Sequence, residues 1–171
     1  MIKDAYRLVQ SLLFILSLLV LAASFYFQYV KGLQPCPLCV MQRLCVLLVL
    51  IFSVLTVFLK SAGTRRFLVI MQILVAGAGI YFACRQLWLQ SLPADQLPAC
   101  LPGFDVLLRY FPWKDILHAL IWGAADCGEI TWKWLGISMP GWSALYFCGV
   151  FLESIFCGYL LHRLPRYTSR H

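Results

Sequence analysis

Four long apolar runs, separated by short charged gaps and one longer polar segment, leave this chain few folds to choose from. A membrane-spanning helix needs about 20 consecutive apolar residues. Residues 11–30 meet that length without a formal charge, as do residues 67–84. Residues 143–161 also meet it, with Glu153 as their one charge, and residues 44–59 reach it when 40–42 extend them. Only 12% of the 171 residues are charged, whereas a soluble domain carries about 25%. So little polar surface cannot cover a water-soluble globule. In lipid the backbone must satisfy its own hydrogen bonds, so runs of this length become helices. The sequence predicts an all-α membrane protein, a single four-transmembrane-helix bundle over residues 1–171. Its spans lie at about 11–30, 41–59, 67–85 and 143–161, with loops at about 31–40 and 86–142 on one side.

Charge placement orients the bundle. With four spans, the N-terminus, the 60–66 turn and the C-terminal tail share a side. They hold Lys3, Arg7, Lys60, Arg65, Arg66, Arg163, Arg166 and Arg170, which is 8 of the 14 basic residues. The other side holds Lys31 and Arg43 in one short loop, and Arg85, Arg109, Lys114 and Lys133 spread over a long segment with five acids, Asp95, Asp105, Asp115, Asp126 and Glu129. The positive-inside rule then puts both termini in the cytoplasm, and residues 31–43 and 85–142 on the far side of an inner membrane. The net charge of +7 does not mark a nucleic-acid binder, because the basic residues sit in gaps between apolar runs rather than in polar clusters. Lys3 and Arg7 before an apolar run loosely match a signal peptide, but the run continues through Phe25, Tyr26 and Phe27, past the usual length. A retained first span is expected.

The far-side segments differ in kind. Residues 31–43 are a compact turn punctuated by Pro35 and Pro37, and the chain before Cys39 is expected to be non-helical. The longer segment is rich in proline and glycine and does not read as an independent domain. Within it, Trp113, Ile116, Leu117, Leu120 and Ile121 recur at helical spacing. That amphipathic helix can lie on the bilayer or pack on the bundle, and the sequence leaves both open.

The same topology divides eight cysteines equally. Cys36, Cys39, Cys100 and Cys127 fall on the far side, where two disulfides can persist. Cys45, Cys84, Cys148 and Cys157 fall within spans, where small apolar packing is expected of them. Cys36-Pro37-Leu38-Cys39 is a C-x-x-C motif with several uses. A structural zinc site wants four ligands in close pairs or with histidine, and Cys100 and Cys127 stand 27 positions apart with His118 alone nearby. No metal is therefore expected. A c-type haem site needs histidine after the second cysteine, and Val40 stands there. Thiol–disulfide redox chemistry is the preferred reading, with a static structural disulfide as its alternative. A helix N-terminus and the Arg43 cation one turn on both favour the thiolate of Cys39. Arg43 can also be read as a snorkelling interfacial side chain.

These residues resemble the DsbB family, the quinone-dependent disulfide-bond formation proteins of bacterial inner membranes. The resemblance runs through Gln34-Pro35-Cys36-Pro37-Leu38-Cys39, Gln42-Arg43 and Arg85-Gln86-Leu87-Trp88-Leu89-Gln90. It continues in Pro98-Ala99-Cys100, Asp126-Cys127-Gly128-Glu129 and residues 134–142. It implies a two-disulfide relay. A reduced periplasmic DsbA-like thioredoxin-fold protein would attack Cys100. The Cys100–Cys127 pair would be reoxidised by Cys36–Cys39, and Cys39 would pass electrons to bound ubiquinone or menaquinone. Arg43 corresponds to the family's quinone-site arginine. Arg85, at the far end of the third span, is a second candidate for the quinone site, against simple interfacial anchoring. A monomer working with a protein partner, lipid and quinone is expected. Two other functions remain possible: a transmembrane thiol reductant relay, disfavoured by the lack of cysteine in the cytoplasmic segments, and a non-enzymatic scaffold with structural disulfides. Glu153 lies toward the opposite end, where a bundle-facing structural role is expected. Gly77 and Gly79 are expected to permit close helix packing.

Overall fold

A computed structural model describes residues 2–59, 61–93, 96, 106 and 112–168 of the chain. Helices α1 (Ile2–Tyr29), α2 (Pro37–Phe58) and α3 (Ala62–Ser91) are followed by the short α4 (Trp113–Trp122) and a 3-10 turn at Ala125–Gly128. A two-stranded hairpin, β1 (Lys133–Trp134) and β2 (Ile137–Ser138), leads directly into α5 (Met139–Thr168). Helices α1, α2, α3 and α5 are each long and apolar enough to cross a membrane. The protein is a four-helix membrane bundle, as the hydropathy pattern predicts.

Packing follows from which residues each helix turns inward. α3 lies against α2 on one side and α5 on the other, and α1 closes the ring against α2 and α5. Leu13, Val49, Ala76 and Val150 form one layer of the core, one residue from each helix. Leu8, Leu19, Leu74, Leu152 and Phe156 point outward, as they should when the surrounding solvent is hydrocarbon. Gly79 makes the closest approach of α3 to α5, since a Cβ there would collide with the Phe147 ring. Gly77 meets nothing within 4 Å, so the packing role expected of both glycines belongs to Gly79.

Polar side chains inside the bundle are paired across helices. Near the end that holds the termini, Gln10 of α1 donates to Glu153 of α5 at 3.1 Å. Gln72 of α3 donates to Gln10 at 3.1 Å and to Ser53 of α2 at 3.0 Å, and Thr56 of α2 donates to Gln10 at 3.2 Å. Cys157 and Ser154 donate to the two carboxylate oxygens of Glu153 at 3.1 and 3.4 Å. One network therefore ties all four spanning helices at a single level, and Glu153 faces the bundle as expected.

Two further expectations are corrected, and the choice left open for the amphipathic helix is resolved. The chain is non-helical through Cys36, as expected, but Pro37 and Leu38 already belong to α2. Proline suits the first helical position, where its missing N–H needs no partner and its fixed φ is already helical. In α4 the buried seam is Ile116 and Ala119, with Leu120 beside it, while Trp113, Leu117 and Ile121 remain exposed. The apolar stripe thus offers one edge to the bundle and leaves another uncovered. Among the span cysteines, Cys45 and Cys157 are buried, but Cys84 and Cys148 lie on exposed helix faces.

Candidate functional site

Helix α2 begins at the C-x-x-C motif, and that places the two sulfurs. Cys36 is the N-cap residue; its sulfur accepts the backbone N–H of Cys39 at 3.4 Å. Cys39 therefore sits in the first turn, where unpaired amides and the positive end of the helix dipole favour an anion. The two sulfurs are 2.9 Å apart. Leu38 between them is fully buried, so the motif is pinned into the bundle rather than presented on a loose loop.

An amide pair from α2 and α3 serves these sulfurs. Gln86 Nε2 donates to Cys39 Sγ at 3.3 Å and to Cys36 Sγ at 3.5 Å. Its own carbonyl accepts from Gln42 Nε2 at 2.8 Å, which turns the amino group of Gln86 toward sulfur. The same carbonyl lies 3.6 Å from Cys39 Sγ, so Gln86 has a group for either protonation state of Cys39. Neither glutamine was singled out from the sequence. The available signal was spacing: on a helix starting at Pro37, position 42 lies three residues from Cys39 and shares its face.

Arg43 is half-buried and reaches across to α1. Its Nε donates to Ser24 Oγ, one terminal nitrogen donates to Gln28 Oε1, and the other donates to the Ser24 carbonyl at 3.1 Å. Its guanidinium carbon lies 5.5 Å from the centre of the Phe25 ring. The cation is thus fixed one turn beyond Cys39 by helix α1, with no direct hydrogen bond to either sulfur. Arg85 lies elsewhere: its guanidinium carbon is 4.1 Å from the Trp88 ring centre and 5.4 Å from that of Trp122, and its Nε donates to the Trp122 carbonyl at 3.1 Å.

A third sulfur joins the first two. The 3-10 turn carries Cys127 into the cluster that contains Cys36, Leu38 and Leu89, and Cys127 has no exposed surface. Its thiol shares that buried cluster with Cys36, close enough for each to perturb the other. Hydrogen bonding with Cys36 holds the Cys127 thiol below its usual range despite burial. Cys36 is pushed up by its hydrogen bonds to Cys127 and Cys39 and by burial, so it remains the protonated member of the three. Cys36 is consequently the junction, in contact with a sulfur on each side. Cys100, the fourth cysteine assigned to this side, lies outside the described residues.

Chemically, three adjacent sulfurs at a membrane edge can exchange disulfides. The donor set beside Cys39 fits a quinone, whose two carbonyl oxygens need N–H donors in an otherwise apolar wall. Arg43 is only half-buried and has N–H groups beyond the three given to α1, and the Phe25 ring beside it presents apolar surface.

Comparison with known proteins matches residues 6–157 to the family model described as disulfide bond formation protein DsbB. A disulfide bond formation protein B of Marinobacter nauticus is 40% identical over 165 residues, covering 96% of this chain and 95% of its own. One from Hahella chejuensis is 44% identical over 128 residues, covering 74% and 77% of the two chains. Disulfide bond formation protein B 1 of Pseudomonas aeruginosa is 36% identical over 138 residues, covering 80% and 84%.

Proposed function

The chain belongs to the DsbB family of membrane disulfide-formation proteins, and we propose that it reoxidises a DsbA-like thiol oxidase at the expense of a membrane quinone. The observation that carries this reading is Cys36 standing between Cys39 and Cys127. That arrangement lets two disulfides communicate without a large movement of the C-x-x-C motif.

The relay begins at Cys100. A thiolate of the reduced partner attacks Cys100 of the Cys100–Cys127 disulfide, and the electron pair leaves on Cys127. Cys127 then attacks Cys36 of the Cys36–Cys39 disulfide. A Cys36–Cys127 bond forms, the Cys36–Cys39 bond breaks, and the electron pair leaves on Cys39. The partner's second thiol attacks its own mixed disulfide, closing the partner's bond and releasing Cys100 as thiolate. Cys100 attacks Cys127, which restores the Cys100–Cys127 disulfide and frees Cys36. Two electrons and two protons then remain on the Cys36–Cys39 pair.

A bound ubiquinone or menaquinone supplies the two-electron, two-proton sink that restores the Cys36–Cys39 disulfide. Cys39 and Arg43 would hold it, with Gln86 behind Cys39 and Arg43 favouring negative charge beside that sulfur. Gln86 directs its amino group at Cys39, so it both orients that sulfur and stabilises its thiolate. The charge asymmetry of the loops supports an inner-membrane location with both termini cytoplasmic. A monomer suffices, since the three described sulfurs and their donors come from one chain.

The test is quinone consumption, followed by absorbance, by purified protein with a reduced DsbA-like partner. Turnover should stop when Cys36, Cys39, Cys100 or Cys127 is replaced by Ser. A Cys100→Ser variant with full activity overturns the relay, and cysteines that stay oxidised when quinone is withheld identify a structural scaffold instead.

A further inference from the structure

Cys127 must be delivered to Cys36 by a segment that has little secondary structure of its own. Cys127 sits within the 3-10 turn, five positions past the end of α4. The C-terminal carbonyls of a helix lack intrahelical partners and carry the negative end of its dipole. In α4 two of these are capped by side chains from α3. Tyr81 donates to the Ile121 carbonyl at 3.4 Å, and Arg85 donates to the Trp122 carbonyl at 3.1 Å. Tyr81 and Arg85 are four residues apart and therefore share a face of α3. Arg85 also lies against both the Trp88 and Trp122 rings, so its cation binds the helix end twice, through the carbonyl and through the indole.

The next residue makes the seat. Gly123 has φ +82°, where a side chain is strained. A Cβ there would lie 2.7 Å from Leu89 Cδ1 and 2.8 Å from Leu38 Cδ1. Leu38 is the residue between the motif cysteines, so the backbone at position 123 rests directly on the C-x-x-C turn. From Gly123 the chain passes through buried Ala124 and Ala125, and the Cys127 N–H donates to the Ala124 carbonyl at 3.0 Å. Three residues then separate the seat from Cys127, with little slack between them.

We propose that the Arg85–Trp122 contact and the Gly123 seat form a latch that fixes Cys127 against Cys36, making Arg85 a positioning residue for exchange between the two disulfides. The proposal deepens the relay reading and rests on it for its biological meaning. The step served is the attack of the Cys127 thiolate on Cys36, which forms the Cys36–Cys127 bond, breaks Cys36–Cys39 and leaves the electron pair on Cys39. A thiolate displaced by about 1 Å from its line of attack loses up to a hundredfold in rate. Arg85 works at this step and not at the quinone.

The test isolates the geometry from the relay. The full chain carrying Cys39→Ser and Cys100→Ser is reduced in lipid nanodiscs and then oxidised with a small aromatic disulfide. Formation of the Cys36–Cys127 bridge is timed by non-reducing peptide mapping, which needs neither partner nor quinone. Arg85→Ala should slow the bridge by about tenfold or more, Gly123→Ala should slow it at least as much, and Arg85→Lys should be intermediate. Helix content and melting temperature check the fold; if Arg85→Ala fails to fold, Trp122→Ala, which keeps the capped carbonyl, carries the same test with a smaller slowing. Unchanged rates in the folded variants overturn the latch. A second arm uses the Cys127→Ser chain with dithiothreitol and quinone, so that only the Cys36–Cys39 pair turns over. There Arg85→Ala should leave the KM for quinone unchanged, and a raised KM overturns the latch in favour of a quinone contact. If the relay itself fails, with Cys100→Ser fully active, the bridging rates still decide the latch.

Discussion

Among the described residues, two polar clusters inside this bundle, one toward each end, are built around glutamine pairs. At the end holding the termini, Gln10 and Gln72 bond to each other and to Ser53, Thr56 and Glu153, drawing one residue or more from every spanning helix. At the opposite end, Gln42 and Gln86 come from two helices only, and Gln86 directs its donors at the sulfurs of Cys36 and Cys39. The first cluster consumes its hydrogen-bonding capacity internally and fixes the helices in register. The second leaves the capacity pointed at atoms whose bonding changes during thiol exchange. The same side chain is structural where its partners are permanent and chemical where its partner is a sulfur.

This contrast fails most visibly if the cysteines of the two clusters behave alike. Replacing Cys39 by Ser should abolish turnover with a reduced partner and quinone, whereas Cys157→Ser, which keeps a donor to Glu153, should leave turnover per folded molecule unchanged. Loss of activity in Cys157→Ser at normal folded yield would break the division. The glutamines sharpen it. Gln86→Leu removes a hydrogen bond to a sulfur that carries charge, a bond worth about 1.5–3 kcal/mol, so turnover per folded molecule should fall roughly tenfold to a hundredfold, well beyond the stability lost with its one bond to Gln42. Gln72→Leu should do the reverse. It should cost about 0.6–1.7 kcal/mol of stability per interhelical bond lost, read by denaturant titration in mixed micelles, with normal turnover in the folded fraction.

The expected division of the molecule was partly legible in the sequence. Hydropathy gives the four spans because hydrocarbon tolerates only self-satisfied backbone, and the spans alone place Cys36, Cys39 and Cys127 in common reach. The rotation of each helix about its axis is not so legible. It decides that Gln86 rather than Arg85 faces the sulfurs, that Cys84 points outward, and that Gln10, Gln72 and Glu153 meet. A nearly all-apolar helix carries a weak periodic signal, since its lipid-facing and bundle-facing sides have similar composition. The start of α2 is obscured for another reason: a proline reads as a breaker, although at the first helical position Pro37 is favourable and makes Cys36 the cap. The contact of Cys127 with Cys36 depends on Gly123 lying against Leu38, a long-range approach that no local pattern encodes.

A smaller effect concerns pH. In the reduced protein the Cys127 thiol sits below the ordinary cysteine value of about 8.5, chiefly through its hydrogen bond from Cys36. Cys127 should therefore remain thiolate at pH values where an ordinary thiol is protonated, and should lose that charge only on further acidification. Titrating the thiolate absorbance should show this, and Cys36→Ala should move the Cys127 titration upward. No movement would remove Cys36 from its place as donor.

The junction role of Cys36 is the centre of the account, and mapping disulfides in acid-quenched protein during turnover tests it most directly. The wild-type chain, mixed with reduced partner and limiting quinone, should yield a Cys36–Cys127 bridge that rises and decays with the reaction. A bridge between Cys39 and Cys127 in its place would contradict the account, as would turnover that proceeds with no bridge between the two pairs.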